Sequence, residues 1–230
     1  MKMRMFFNRQ SIIAIILYIF LCSSLFFSMT AIQFNQPKLF KPAEYQLTPS
    51  FFKFISMGFW PAAADLLWIQ TLQKIGAANY SPDTALEVLG FYRIATALDP
   101  NFYEIYDQAA VLFSFFYELP RPALEMIDRG ISVYETKNPP AKFWTHPYSL
   151  YLYRAYVNAF LRNDWSAARD DYLKAAYTRG SPEYLQSMKV WLQQEGSEKR
   201  LAVRVLRLLI QNSNNPVVRQ KYQEKLKQYE

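Results

Sequence analysis

The hydrophobic and polar positions from residue 61 onward repeat with helical spacing, and no stretch alternates in the manner of a β-strand. Segments of about 12 to 18 residues are separated by short breaks that contain proline, glycine or small polar residues. The breaks lie at Ser81-Pro82, Asp99-Pro100, 119–122, 138–147, Asn163-Asp164, 180–182, Gly196-Ser197 and 212–216. The pattern predicts an all-α protein of ordinary helices joined by short turns.

The N-terminus has a different pattern, a short basic head followed by a long apolar run. Residues 1–10 contain Lys2, Arg4 and Arg9 without an acid, and residues 11–31 carry no charge. A run of about twenty apolar residues is long enough to cross a bilayer as a helix. Because basic flanks stay on the cytoplasmic side, we expect a single-pass anchor at 11–31 in the cytoplasmic (inner) membrane, with the rest of the chain outside the cytoplasm, in the periplasm of a bacterium.

Two other interpretations of this run stay open. A cleaved signal peptide has the same basic start but a shorter apolar core, and Ser28 and Thr30 are the best small residues near the end of this one. Lipid attachment at Cys22 is a third interpretation. It is disfavoured because Leu21, directly before the cysteine, is bulky where a small residue is usual.

After the anchor, the sequence predicts an extended linker and then one helical domain. Residues 32–49 contain Pro37 and Pro42, which block helix formation, and the domain follows at 50–230. Its first residues, 51–60, read FFKFISMGFW and are apolar on nearly every side. Two interpretations are open for this segment, since it can pack on the first helix pair or lie at the membrane interface.

A repeated pattern marks the second helix of each predicted helix pair. It consists of a small residue, a large one four positions on, and another small one three positions further, with variations. The positions are Val88, Tyr92, Ala95 and Pro100, then Ala123, Ile127 and Gly130, then Ala168, Tyr172 and Ala175, then Ala202, Leu206 and Leu209. Small residues let paired helices approach closely, and such a repeat indicates a stack of helix pairs.

From Ala64 to Pro216 the chain resembles the tetratricopeptide repeat superfamily. The first repeat carries the resemblance best, with Leu72, Ile75 and Gly76 in its first helix and the ending Leu98-Asp99-Pro100 in its second; in the third repeat Asn163-Asp164-Trp165 stands at the usual turn. The second repeat departs from the family, because it lacks its final proline and is followed by the insertion KNPPAKFWTHP. The resemblance implies that the predicted transmembrane helix is followed by an α-solenoid of antiparallel helix pairs.

In this family, the first helices of the pairs line a concave groove that commonly holds an extended segment of a partner protein. Carried over position by position, the resemblance implies a groove lined by aromatic, apolar and amide side chains. These residues are Gln70, Gln73, Tyr80, Gln108, Leu112, Phe115, Tyr153, Val157, Phe160, Tyr184 and Trp191. Such a lining suits an apolar or extended peptide, because glutamine side chains can bond its backbone.

Composition limits the chemistry that this chain can perform. One histidine and one cysteine among 230 residues cannot form an ordinary His/Cys metal site. His146 lies in a proline-rich stretch without an evident nucleophile, and Asp170 and Asp171 point about 100° apart on a helix, which is typical of a solvated face. Six scattered glycines form no phosphate loop. We therefore expect no catalytic residue, metal, cofactor or small-molecule substrate.

The net charge of +7 is concentrated near the C-terminus. From Ser197 onward there are eight basic and three acidic residues, and Arg200, Arg204 and Arg207 recur on one predicted helix face. This secondary basic face either binds an acidic partner or forms the polar outer side that a terminal helix needs. Nucleic acid is not expected as a partner, because the predicted topology places the face outside the cytoplasm.

These patterns together predict a non-catalytic scaffold that is tethered to the membrane. We expect it to bind protein partners of a membrane-associated complex, in the assembly of a secretion, appendage or cell-surface machine. The alternative is an accessory regulatory subunit of a membrane enzyme or transporter, which it would contact through the membrane helix and residues 51–60.

Overall fold

The computed structural model describes residues 48–77 and 81–229, together with position 23. These residues, apart from position 23, belong to one compact unit, Leu47–Glu230. The predicted basic head, the predicted anchor and nearly all of the linker lie outside the described residues. Within the part of the chain that is described, no helix is both long and apolar enough to cross a membrane.

Every regular element of the described residues is helical, which confirms the predicted all-α class. Ten α-helices follow one another, and two of them continue into short π-helical segments. They are α1 (Pro49–Ile55), α2 (Trp60–Ala77), α3 (Pro82–Leu98), α4 (Tyr103–Val111, continued by the π-helical Leu112–Phe116), α5 (Pro120–Lys137), α6 (Tyr148–Tyr156, continued by the π-helical Val157–Leu161), α7 (Trp165–Tyr177), α8 (Glu183–Leu192), α9 (Ser197–Asn212) and α10 (Pro216–Leu226).

Local chemistry explains several of the helix starts. The Ser81 hydroxyl accepts a hydrogen bond from the Thr84 amide at 3.2 Å, and the Asp164 carboxylate accepts one from the Ala167 amide at 2.9 Å. Asn215 caps α10 in the same way. These side chains satisfy amide groups that have no partner inside the helix. Three of the breaks read from the sequence therefore supply helix caps.

Each helix packs against the next one along the chain, and α4 also packs on α6, and α7 on α9. Gly130 shows how closely the helices approach. A methyl group at this position would lie 2.9 Å from Leu150 Cδ1 on α6 and 3.0 Å from Tyr106 Cγ on α4. Such distances leave no room for a side chain, so glycine lets α5 approach both neighbours.

Two helix pairs share one unusual geometry. Helix α4 begins at Tyr103 and α6 at Tyr148, 45 residues later, and each has nine residues before its π-helical segment. Each unit then turns through a left-handed residue, Glu118 in the first and Asn163 in the second, again 45 residues apart. The chain therefore repeats a complete backbone unit across this interval.

The proline-rich insertion after α5 contributes to the core. Trp144 within it is fully buried, and its indole N–H donates to the Asn101 carbonyl at 3.0 Å. Its ring lies 5.1 Å from the Tyr103 ring and stacks on Tyr134 at 5.8 Å. The insertion therefore brings a large aromatic side chain between α4 and α5.

Candidate functional site

The predicted groove residues fall on the first helix of each predicted pair. Those inside the described residues lie on α2 (Gln70, Gln73), on α4 and its π-helical continuation (Gln108, Leu112, Phe115), on α6 and its continuation (Tyr153, Val157, Phe160), and on α8 (Tyr184, Trp191). Tyr80 lies outside the described residues.

The predicted groove residues differ in how exposed their side chains are. Leu112 and Val157, which begin the two π-helical segments, are 5 % and 0 % exposed and belong to the hydrophobic core. Their side chains point into the protein, so they offer no surface to a partner. By contrast, Phe115 is exposed, Gln73 is exposed, and Tyr153 is half-buried. The open part of the predicted set therefore consists of its aromatic and amide members.

Four aromatic rings from α6 and from the π-helical continuations of α4 and α6 form a chain of contacts at the surface. The Phe115 ring lies 6.1 Å from the Tyr153 ring and 4.2 Å from the Tyr156 ring, and Tyr156 lies 5.0 Å from Phe160. We call Phe115, Tyr153, Tyr156 and Phe160 the aromatic row. Tyr156 is absent from the predicted groove, although its position three after Tyr153 and four before Phe160 places it on the same helix face.

Gln108, a predicted groove residue on α4, is held by a side chain of α2. The Trp68 indole N–H on α2 donates to the Gln108 side-chain oxygen on α4 at 2.7 Å. This bond engages the oxygen and orients the Gln108 amide nitrogen, which is the donor of the group. Trp68 also packs edge-on against Phe102, with ring centroids 5.3 Å apart. The amide is thereby fixed rather than freely rotating.

A hydrogen-bonded cluster lies beneath Tyr153. The Tyr103 hydroxyl donates to the His146 carbonyl at 2.8 Å, and the Ser149 hydroxyl donates to Asp107 at 3.0 Å. Burial raises the pKa of Tyr153 to about 12, and the negative charge of Asp107 adds to the rise. Burial likewise raises the pKa of Tyr156 to about 12. Both phenols are therefore neutral over the physiological pH range. The Tyr153 hydroxyl is hydrogen-bonded to Asp107, and the Tyr156 hydroxyl can donate a hydrogen bond to a partner.

The C-terminal helix covers one end of the aromatic row. The Tyr222 ring of α10 lies 6.1 Å from the Phe160 ring, and Lys225 Nζ donates to the Phe160 carbonyl at 3.3 Å. After the helix, the Tyr229 hydroxyl donates to Asn163 at 3.1 Å. The open part of the row is therefore at Phe115, Tyr153 and Tyr156.

The predicted basic residues of α9 line one cavity of about 530 Å³, together with Lys199, Val203 and Leu208. Arg204 also lies over the Trp191 ring of α8, 5.7 Å from its centroid. Among the described residues, Lys199, Arg200 and Arg204 have no carboxylate within ion-pair distance. The structure thus brings the predicted basic face together.

The interpretation of Asp170 and Asp171 as one solvated face is wrong for Asp171. Its side chain is 6 % exposed and contacts Arg154 NH2 at 2.7 Å, whereas that of Asp170 is 55 % exposed. Asn158 donates to the second carboxylate oxygen of Asp171 at 2.8 Å. Burial raises the pKa of Asp171, against the opposing effect of Arg154. The group is a structural ion pair between α6 and α7.

Two further observations bear on chemistry. His146 is exposed and lies edge-on to Tyr148, with ring centroids 5.7 Å apart. Over the described residues, no group of three or more His, Cys, Asp or Glu side chains is placed to hold a metal ion.

Comparison with known proteins adds no relative. No family model, curated protein or solved structure matches the chain. The resemblance to tetratricopeptide repeats therefore depends on the residues that carry it.

Proposed function

We propose that this chain is a non-catalytic scaffold, tethered to the membrane by residues 11–31, that holds an extended segment of a partner protein on the aromatic row. The contact between half-buried and exposed rings of two successive helix pairs carries this proposal. Aromatic rings supply large apolar contact area, and adjacent amide and phenol donors can bond the backbone of an extended segment.

The repeated backbone unit supports a helical-repeat interpretation of the fold. The 45-residue interval, the packing of each helix on the next and the close approach at Gly130 are features that stacked helix pairs share. We propose that the pairs form a solenoid of tetratricopeptide type, in which α2, α4, α6 and α8 line the inner face. In such a solenoid, the aromatic row and Gln108 lie on one continuous surface.

The predicted topology gives the scaffold its place. With the N-terminus cytoplasmic and 11–31 in the inner membrane, the domain lies in the periplasm or its equivalent. A tethered binding surface there suits the assembly of an envelope machine for secretion, appendages or cell-surface structures. Its partners are proteins of that membrane-associated complex.

Site-specific photo-crosslinking in the full-length, membrane-bound chain tests the binding surface. A photoreactive amino acid replaces Phe115 or Tyr156, and Leu86, which is 64 % exposed on α3 and outside the proposed inner face, serves as the matched control position. We expect the same protein to be captured from positions 115 and 156 and not from 86. Equal capture from all three positions, or capture from 86 alone, contradicts the assignment.

A second candidate function follows from the exposed apolar segment 51–60. Phe54 is 82 % exposed, and Met57 and Phe59 are each 67 % exposed. An accessory regulator of a membrane enzyme or transporter would use this segment and the membrane helix for lateral contact. Replacing 11–31 with an unrelated apolar helix separates the two functions, since a scaffold that only needs tethering keeps its activity and a lateral regulator loses it.

A further inference from the structure

The apolar segment 51–60, which contains α1 from Phe51 onward, the following turn and the first residue of α2, lies at the surface of the domain. None of the residues of α1 is buried. Phe52 is half-buried and packs against the core, and Ser56, four residues later, is half-buried as well. Phe54 lies on the opposite side of the helix, Phe51 and Ile55 flank the packed face, and all three are exposed. The helix therefore packs through one face and presents phenylalanine on the other.

The turn after α1 continues this apolar surface. Met57 has a φ of 46° and Gly58 a φ of 95°. The left-handed region is unfavourable for a side chain as large as methionine, by about 1–2 kcal/mol. The turn nevertheless leaves Met57 and Phe59 mostly exposed to solvent. The backbone is thus held in a costly conformation that keeps apolar side chains on the outside.

Exposed apolar side chains in such a number indicate an interaction surface. Fully burying one phenylalanine or methionine side chain contributes about 1.5–3 kcal/mol. Several exposed side chains of the segment would therefore contribute a large binding free energy if a partner or a bilayer buried them. They are Phe51, Phe54, Ile55, Met57 and Phe59.

The composition of the segment favours a lipid interface as its occupant. It combines four phenylalanines and a tryptophan with one basic residue and contains no acid. Lys53 Nζ lies 5.6 Å from the centroid of the Trp60 ring, so a cation and an indole occupy the same side. Tryptophan and lysine are the residues that anchor proteins at the headgroup level. The nearest acid, Asp65, is exposed on α2, beyond the segment.

The position of the segment in the chain also favours the bilayer. Residues 32–50 separate it from the predicted anchor, and these 19 residues extend over at most about 70 Å. A tether of this length keeps the segment within that distance of the membrane, where a weak affinity for lipid suffices for binding.

We propose that residues 51–60 form an interfacial membrane-docking segment. Phe51, Phe54, Met57 and Phe59 insert among the lipid chains at the interface, and Lys53 and Trp60 lie at the phospholipid headgroups. The proposal rests on the tethering part of the proposed function and is independent of the aromatic row. Docking fixes the first helices of the domain at the membrane surface, which tethering through the linker alone does not do.

Quenching by brominated lipids tests this proposal in the full chain. The chain is reconstituted in vesicles of phosphatidylcholine and phosphatidylglycerol, with an environment-sensitive dye on a single cysteine. The labelled positions are Phe54→Cys and Phe59→Cys in a Cys22→Ser background, with Val190→Cys as the exposed control. Circular dichroism establishes that each variant keeps the helical content of the parent chain. Dye on the native Cys22, the only cysteine of the sequence, reports separately on insertion of the anchor.

We expect brominated lipids to quench the dye at positions 54 and 59 roughly threefold or more above position 190. Quenching at Cys22 without quenching at 54 and 59 overturns the docking proposal and leaves the tether intact. Absence of quenching at Cys22 overturns both. The segment binds a protein instead if the dye at position 54 is not quenched in pure lipid vesicles but is shielded from aqueous iodide in native membranes. It binds a second copy of the chain if that dye is shielded from iodide in detergent without lipid. Either result overturns lipid docking.

Discussion

The buried ion pair of Arg154 and Asp171 illustrates what single residues contribute to this fold. Arg154 on α6 contacts Asp171 on α7 and also donates to Asp128 on α5 at 2.8 Å. Three consecutive helices are thereby connected through one guanidinium group. A buried pair contributes little compared with apolar packing, but leaving one charge without its partner is costly.

We predict that Asp171→Ala destabilises the domain by about 3 kcal/mol, because Arg154 then keeps a buried positive charge with only the exposed Asp128 beside it. Its neighbour provides the matched control. Asp170 is exposed and paired with the adjacent Arg169, so Asp170→Ala should change stability by less than about 0.5 kcal/mol. Urea unfolding followed by circular dichroism measures both. An equal loss of unfolding free energy in the two variants would contradict the burial of Asp171 as the cause of the destabilisation.

At the scale of helices, glycine at position 130 decides how closely α5 packs. A methyl group there meets Leu150 and Tyr106 within about 3 Å, whereas one at Gly90 in α3 meets no atom within 4 Å. Alanine favours a helix over glycine by about 1 kcal/mol, and overpacking a core costs about 1–3 kcal/mol.

We therefore predict opposite effects from the same substitution in two helices. Gly130→Ala should lower the melting temperature, with a net loss of about 1 kcal/mol, and Gly90→Ala should raise it slightly, by up to about 0.8 kcal/mol of stability. Differential scanning calorimetry of the two variants checks the pair. Stabilisation by Gly130→Ala would mean that α5 does not approach α4 and α6 as closely as described.

Sequence pattern predicts the helices well and their detailed geometry poorly. The breaks at Ser81 and Asn163-Asp164 predict helix boundaries, since capping residues and prolines act locally. The π-helical segments carry no such local signal, and the residues at which they begin, Leu112 and Val157, are buried. Trp144 belongs to a proline-rich insertion and is nevertheless a core residue. Its burial depends on contacts with Tyr103 and Tyr134, which spacing along the chain does not reveal.

The same division holds for the candidate site. The family pattern selects Phe115 and Tyr153, and helical periodicity alone would have added Tyr156. The cover that α10 places over Phe160 could not be predicted, because it depends on how the last helix folds back onto α6 and its continuation. The prediction of a solvated Asp171 is wrong because helical periodicity does not show which of two adjacent acids meets an arginine on another helix.

For the whole molecule, we propose a division of roles between its surfaces. Apolar residues 51–60 lie at the start of the domain and the basic cavity of α9 near its end, and the aromatic row lies on α4 and α6 between them in sequence. A chain anchored at its N-terminus can use the first surface for the membrane and the aromatic row for a partner.

The affinity of the captured partner segment for the domain tests this account most directly. The segment identified by crosslinking is synthesised as a peptide, and its Kd is measured by titration calorimetry with the full chain, with a Phe115→Ala/Tyr156→Ala variant and with Leu86→Ala. Removing two aromatic contacts should weaken binding by about tenfold or more, while Leu86→Ala, on α3 outside the proposed inner face, leaves the Kd unchanged. A Kd that is unchanged in the double variant, with helical content intact, contradicts the aromatic row as the binding surface.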